Sequence, residues 1–583
     1  MQQHCSGPGT ADGASASGGD RTIGPLRPMP GVIYADTERA AYYLESGAWE
    51  RQTLGEALRS AAKDAPERTA FVCEQHRISF AELDKRAERL AQGLRALGLQ
   101  VHDRAMFQMG TTIETAIALF GCFKAGIVPV CSIPQYRELE ISKLIELTRP
   151  KAYFVQADAG GRFDLVAFAS AMADRHDIPH VIVARGAGEP GSHTLESLGE
   201  GVEPAASLDT TAEFGCEDVA VFQLSGGSTG VPKLIPRFHA EYQGHVRSWC
   251  SRYDMQDGNV GIWALPMLHN AGMMFAIVRT VLYRATTVLL PQWDVAKYFD
   301  AIERERVQHA FTIGPHAPAI ASYPGVKAHD LSSLRSLFTL IGAEPIERAT
   351  GVSSMNMFGI TEGLVLTGMP ASPALVRHGT VGMPCSAYDE VRLLRPGTED
   401  EAHVGEPGEL CFRGPSSLRG YYAAPEINAV SFTQDGFFRT GDLMRSAVID
   451  GQLVYAFEGR MRDNINRGGE KFGTEDIEHL LSRHPAIADG KVVAMPDPIY
   501  GEKACAFLIP RQGHCLPTVK ELGAYLLSHG LAKFKLPERI EASEGFPTTR
   551  VGKLDRAQLR AQIAVKVLAE STSAAQPLQG DLP

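Results

Sequence analysis

The sequence predicts an α/β protein: a large N-terminal domain of α/β sheets carrying a β-rich subdomain, then a small mobile C-terminal α+β domain. Three observations predict it. Apolar strand-like pieces at Ala152–Val155 and Val181–Ala184 alternate with helical segments, the pattern of largely parallel sheets. From about Thr380 the texture changes to short strands and many glycines, including Gly405, Gly408, Gly414, Gly420 and Gly436. After Gly459 a further α/β unit begins, announced by Gly459-Arg460-Met461-Arg462-Asp463, where glycine and charge concentrate as a functional hinge requires.

Taken in order, residues 1–24 are Gly, Ser, Ala and Asp with almost nothing apolar, and are expected to form a disordered tail. Residues 25–461 make the large domain. Within it, Thr53-x-x-Glu56 and Ser79-x-x-Glu82 read as capping boxes. Leu83, Ala87, Leu90, Leu94 and Leu97 then recur at helical spacing until Gly98. The apolar run Val219–Leu224 reads as a buried strand. Residues 462–565 make the small domain, with a helix near Thr474–Ser482, strands around Lys491–Met495 and Ala504–Ile509, and a helix over Thr518–Ser528. Residues 566–583 return to Ala, Ser, Gln and Pro and are expected to fray.

A chain of 583 residues is too long for one core. Its 44% hydrophobic and 21% charged content is that of a soluble globular protein, and a net charge of −11 argues against a general nucleic-acid binder. Ten cysteines with no C-x-x-C pair form neither a zinc pattern nor a disulfide framework. No apolar run reaches the roughly 18 residues a membrane span needs, and the N-terminus has no apolar signal region. The expectation is a cytoplasmic protein with no membrane or nucleic-acid partner.

The densest chemistry lies at Gln223 to Lys233, Q-L-S-G-G-S-T-G-V-P-K. Gly226, Gly227 and Gly230 let backbone N–H groups turn towards an anion, while Ser225, Ser228 and Thr229 add hydroxyls and Lys233 a charge. That suits a polyphosphate, although the Walker A spacing is absent and a lone Gly/Ser-rich turn is ordinarily a flexible loop. Gly342-Ala343-Glu344 and Met357-Phe358-Gly359-Ile360-Thr361-Glu362 follow strand-like runs; glycines beside an aromatic make a slot for a purine, and Glu362 could hold hydrated Mg²⁺. Both also read as plain strand-to-helix turns. In Arg439-Thr440-Gly441-Asp442 the carboxylate after a tight turn could clamp two ribose hydroxyls, or simply end the turn. Lys553, in Pro547-Thr548-Thr549-Arg550-Val551-Gly552-Lys553, is alone no more than a surface lysine.

Together, in this order, these stretches resemble the adenylate-forming superfamily of acyl- and aryl-AMP ligases. The likeness covers about residues 35 to 565 and is greatest to the stand-alone aryl acid–AMP ligases of the 2,3-dihydroxybenzoate and salicylate type. It is carried by L-S-G-G-S-T-G-V-P-K-L-I-P-R, P-x-x-H-N at Pro266 to Asn270, F-G-I-T-E-G-L-V, I-N-R-G-G-E-K at 465–471, G-E-K-A-C-A at 501–506 and F-K-L-P at 534–537. The resemblance implies ATP and Mg²⁺ as cofactors and an aromatic carboxylic acid as substrate. The acceptor would be an aryl or acyl carrier protein in trans, with coenzyme A as the rival.

By the same resemblance, Ser225 to Lys233 hold the departing phosphates, and Gly342, Met357, Phe358, Gly359 and Thr361 border adenine. Glu362 binds the metal, and Asp442 and Arg460 hold the ribose. Lys553 is the catalytic lysine beside Thr361 and Glu362, and Arg462 is the hinge. Lys471 lies on the substrate side, and Arg467, Gly468 and Lys503 line the phosphopantetheine arm. His269, Asn270, Ala271 and Phe275 border the acid. Ala271 and Phe275 stand where dihydroxybenzoate ligases carry a tyrosine and a serine, so a mono-substituted or bicyclic acid is expected instead. Asn270 would read the substrate, or cap the helix beginning near Gly272. The segment from Gly342 to Met357 is shorter than the family's, so a truncated helix is expected there. A non-catalytic protein that has kept the fold is the alternative of another class; Lys553, Glu362 and Asp442 speak against it.

Overall fold

The computed structural model describes residues 23–199, 208–225, 233–313, 316–461, 464–547 and 554–574. Two mostly parallel sheets carry the large domain. In the seven-stranded sheet, Arg104–Gln108, Val128–Ser132, Ala152–Gln156, His180–Ala184 and Val219–Ser225 run parallel, and Lys233–Phe238 closes one edge antiparallel. The nine-stranded sheet joins Thr69–Cys73, Thr286–Leu289, Val260–Trp263, His309–Phe311, Ser336–Thr339 and Ser354–Gly359 in parallel.

Helices Phe80–Ala96, Ile113–Ala125 and His239–Arg252 share one apolar core with strands of both sheets. Ile113–Ala125 is buried along nearly its whole surface, as a helix apolar on most sides requires, with Glu114 alone left out of the buried set. The Thr53 capping box forms with both reciprocal bonds. At Ser79 only the side chain's bond to the Glu82 N–H forms, at 3.3 Å. The shortened segment after Gly342 holds a helix of eight residues, Ala343–Thr350. The β-rich subdomain is a four-stranded antiparallel sheet of Glu390–Leu394, Pro407–Arg413, Phe438–Ile449 and Gln452–Arg460.

The small domain is built on the hairpin Ile487–Asp497 and Gly501–Pro510. Strand alternation gives it two apolar faces. Val492, Ala504, Ala506 and Leu508 pack with Ile477, Leu481, Leu522 and Leu526, on the side that also meets Leu139 of the large domain. Val493, Met495, Cys505 and Phe507 pack with Leu559 and Ile563 on the other. The fraying expected beyond residue 566 is corrected here: the last helix runs from Arg556 to Ala574. Tertiary contacts hold it where composition does not. Val567 packs on the second face, Lys566 reaches Glu541 at 2.6 Å, and Glu570 takes both Arg539 nitrogens at 2.7 Å.

Between the large sheets a buried charge is paired: Lys124 Nζ lies 2.8 Å from both Asp84 and Glu88. Removing one partner strands the others in a dry site, which costs about 3–5 kcal/mol. Lys124→Met should therefore lower the urea midpoint of the large domain sharply, whereas Arg348→Met, at the exposed pair with Glu344, should barely move it.

Candidate active site

The carboxyl ends of parallel strands meet ligands in open α/β sheets, and here Val219–Ser225, Val260–Trp263, His309–Phe311, Ser336–Thr339 and Ser354–Gly359 end around a cavity of about 150 Å³. Trp263, Phe275, Phe311 and Phe338 wall it. Phe275 stacks on Phe311 with centroids 5.0 Å apart and planes 8° from parallel. Gln223, Asn270 and Met274 line the same space; His269, Thr361 and Lys471 add polar groups to it.

The loop after Trp263 settles which residue caps the following helix. His269 Nδ1 accepts from the Ala271 N–H at 3.2 Å, so His269 is the cap and Asn270 is the first helical residue. The alternative role of Asn270, as the helix cap, is therefore taken by His269. The Asn270 Oδ1 accepts from the buried Tyr242 hydroxyl at 2.6 Å. The next residues, Met273–Val278, wind into a π-helical segment that carries Met274 and Phe275 to the cavity wall. Burial, aided by the Lys471 charge, pushes the His269 imidazole down to about 4.

A second, polar cavity adjoins the first. Ser225, Lys233, Thr361, Glu362, Tyr421, Asp442 and Lys471 line it. Lys233 Nζ stands 4.7 Å over the Tyr421 ring, and the Tyr421 hydroxyl donates to Glu362 Oε1 at 2.8 Å. Asp442 is buried, and its backbone pairs with Arg460 across the strand ladder. Ser225, Ile360, Thr361 and Lys471 belong to both cavities. From beneath, Arg237 donates to the Thr361 carbonyl at 2.8 Å.

The structure thus brings together Ser225, Lys233, Thr361, Glu362, Asp442 and Lys471 at one place, and His269, Asn270, Ala271, Phe275, Met357 and Gly359 beside it. Phe358 lines neither cavity; it packs in the subdomain core and stacks near Phe457 at 6.2 Å. Gly342 caps helix Ala343–Thr350 with φ +89°. Arg467, Gly468 and Lys503 gather around Tyr500: Arg467 lies 4.0 Å over its ring, Lys503 5.3 Å, and the Gly468 N–H bonds its carbonyl at 2.8 Å. Gly226, Gly227, Ser228, Thr229, Gly230, Arg462 and Lys553 lie outside the described residues, as does the side chain of Arg460. Sequence reasoning missed Tyr421, Tyr242, Tyr500 and the walls Trp263, Phe311 and Phe338. Only Tyr421 carried a local signal, standing in R-G-Y-Y after the glycine-rich subdomain begins.

An aromatic cavity opening onto a polar one built from hydroxyls, two lysines and two carboxylates suits an aryl group beside a nucleotide polyphosphate. The comparisons with known proteins agree. Residues 58–422 match the AMP-binding enzyme family and residues 476–553 its C-terminal domain. The chain is 38% identical over 540 residues to the 2,3-dihydroxybenzoate-AMP ligase of Bacillus subtilis, covering 91% of this chain and 97% of that one. It is 32% identical to the salicyl-AMP ligase / salicyl-S-ArCP synthetase of Mycobacterium tuberculosis, with 96% and 98% covered. The apo structure of MbtA from Mycobacterium smegmatis superposes with a TM-score of 0.67 at 30% identity, over 91% of this chain and 99% of that one. The chain belongs to the AMP-binding enzyme family. It is an adenylate-forming ligase that uses ATP.

The His269 shift sets a pH dependence. Its pKa falls from near 6.5 to about 4 on folding, so the unfolded chain binds the extra proton between those values and stability rises with pH across them. His269→Asn can still cap the helix. It should flatten that rise, read as thermal midpoints between pH 4 and 6.5.

Proposed function

We propose that this enzyme activates a mono-substituted or bicyclic aromatic carboxylic acid and passes it to the phosphopantetheine thiol of a carrier protein. The observation that carries the reading is the junction at Thr361 and Lys471, where the aromatic cavity meets the polar one. The aryl ring occupies the space among Trp263, Phe275, Phe311 and Phe338, with its carboxylate towards the junction. The carboxylate attacks the α-phosphorus of ATP and pyrophosphate leaves, giving the aryl adenylate. The thiol then attacks the acyl carbon, the bond to phosphate breaks and AMP departs. Positioning and charge neutralisation do most of this work.

Residue roles follow the family pattern. Ser225 to Lys233 hold the departing phosphates, Asp442 and Arg460 the ribose, and Gly342, Met357, Gly359 and Thr361 border the base; Phe358, packed in the subdomain core, does not. Lys553 neutralises charge between carboxylate and α-phosphate, and Arg462 is the pivot. Glu362 fits Mg²⁺: Tyr421 holds one of its oxygens at the polar cavity, a hard donor of the kind this ion takes along with substrate phosphates. Among the described residues no group of three acidic, His or Cys side chains forms a ready metal cage. When bound, the ion would neutralise phosphate charge.

The placement of the small domain supports a transfer-stage reading. Its hairpin of Ile465–Arg467 and Glu470–Phe472 puts Asn466, Gly469, Glu470 and Lys471 on the aromatic cavity. Phe546 and Leu554, which bracket the Lys553 loop, pack on the face of the small-domain sheet opposite the large domain. Arg467, Gly468 and Lys503, clustered at Tyr500, are placed to flank a pantetheine arm. That a relative is named salicyl-S-ArCP synthetase favours a carrier over free coenzyme A.

ATP–pyrophosphate exchange over a panel of aromatic and aliphatic acids tests the reading. Salicylate, anthranilate or a quinoline carboxylate should outrun 2,3-dihydroxybenzoate, because a second ring hydroxyl buried without a partner costs about 1–3 kcal/mol. A clear preference for 2,3-dihydroxybenzoate or for aliphatic acids defeats it. Lys553→Ala should lower exchange about 10²–10³-fold, the loss typical of one electrostatic donor. It should spare thioester formation from supplied aryl adenylate; an equal fall in both half-reactions rules out a lysine that withdraws between them.

A further inference from the structure

Behind the aromatic cavity stands a fully buried guanidinium that no carboxylate pairs among the described residues. Arg279, 1% exposed, opens helix Arg279–Leu282 directly after the π-helical segment Met273–Val278. Its partners are neutral. Nη2 donates to the Thr287 hydroxyl at 2.9 Å and to the Thr286 carbonyl at 3.3 Å, and Nη1 to the Asn259 carbonyl at 3.4 Å. Strand Val260–Trp263 makes room for the group: a Cβ on Gly261 would stand 2.5 Å from Nη2. A buried charge without a counter-charge is a poor route to stability, so what it supplies is geometry.

The remaining bond shows which geometry. In an α-helix the backbone N–H of Arg279 would bond the Phe275 carbonyl, four residues back. Here it bonds the Met274 carbonyl, five back, as π winding requires. The Phe275 carbonyl is met instead by the Arg279 side chain, whose Nε donates to it at 3.0 Å. The next residue repeats the device: Thr280 Oγ1 donates to the Ala276 carbonyl, also four back, at 2.6 Å. Two side chains thus hold successive carbonyls of the widened segment. That winding decides what faces the acid. Met274 and Phe275 line the cavity, and the Phe275 ring packs on Phe311 at 5.0 Å and on Trp249 at 4.1 Å. Contraction to an α-helix would turn Phe275 against those rings and open the wall it forms.

We propose that Arg279, together with Thr280, is a positioning residue that holds the π-helical segment open and so sets the width of ring the cavity accepts. This rests on the aryl-acid reading above and deepens it. The side chains that touch the acid are placed by two that do not.

Pyrophosphate exchange with benzoate and 2-naphthoate in the full-length enzyme tests this, read as the naphthoate-to-benzoate ratio of kcat/KM. Phe275→Ala removes the wall and should raise the ratio by on the order of tenfold, the scale of discrimination in a hydrophobic pocket. Arg279→Lys keeps a charge that can reach the strand carbonyls but sets a methylene where Nε stands. It should raise the ratio severalfold. Thr280→Val should act in the same direction, while Thr280→Ser, which keeps the hydroxyl, should hold the wild-type ratio. In the Phe275→Ala background Arg279→Lys should change the ratio no further, whereas a general loosening would add to it. The KM for ATP should not move, since the polar cavity takes no residue from this segment. A ratio unmoved by Arg279→Lys, or moved equally with and without Phe275, overturns the proposal and leaves the aryl-acid reading standing. Should Arg279→Lys fail to fold, Thr280→Val decides: an unmoved ratio there overturns the proposal too. No exchange by the wild type with any aromatic acid overturns both.

Discussion

A single buried guanidinium ties the two sheets and the subdomain together. Arg237, 1% exposed at the end of strand Lys233–Phe238, lies 2.7 Å from Glu241 and donates to the Thr361 carbonyl. Glu241, also buried, receives Arg419 at 3.0 Å from the connection between the subdomain's second and third strands. The pair therefore fixes the strand after the phosphate loop against the loop bearing Thr361 and Glu362. Space there is short: a Cβ on Gly363, at φ +114°, would stand 1.7 Å from the Ser416 carbonyl. A buried ion pair is a costly way to gain stability, since desolvation cancels much of its attraction. What it supplies here is geometry. With Tyr421, which touches both Lys233 and Glu362, it sets how the two stand to one another.

That seam also marks how far the sequence could be read. The alternation of strands and helices, the glycine-rich subdomain and the second α/β unit were legible because each is a local pattern with a fixed period. The Thr53 capping box was legible for the same reason. Arg237 stood in plain text within L-I-P-R, yet its partners lie four and 124 residues away, and no spacing announces them. The terminal helix was misread by the same logic. Its Ala/Ser/Gln composition promises little, while Arg539 and Glu541, distant in sequence, pin it through Glu570 and Lys566.

The acid site divides in a similar way. His269 and Asn270 were recognisable as a motif, but their roles depend on the fold. The alternative role of Asn270 as a helix cap falls away, because His269 accepts from the Ala271 N–H and Tyr242 donates to the asparagine carbonyl. Trp263, Phe311 and Phe338 are strand residues whose alternation says only that they are buried. They become a ring-shaped slot because three neighbouring strands end at the same level and Phe275 stacks against them from the π-helical segment. A core aromatic and a substrate-facing aromatic are indistinguishable until the strands are placed side by side.

The junction between the cavities has a further consequence for motion. Among the described residues Lys471 is the one basic residue that lines both, and it follows a small-domain turn whose glycines, Gly468 and Gly469, sit at φ +63° and +98°. That domain is held to the large one by polar contacts. Lys535 reaches Glu140 at 2.9 Å, Lys143 reaches Asp476 at 2.9 Å, and Tyr136 stacks near Phe534 at 6.0 Å. Interfaces of this polar kind let domains move unless a large apolar area opposes it. Most of the small domain's two apolar faces is covered by its own helices, with Leu139 of the large domain against one of them. A turn of that domain would carry Lys471 away from the junction, whereas the aromatic walls Trp263, Phe275, Phe311 and Phe338 belong to the core of the large domain.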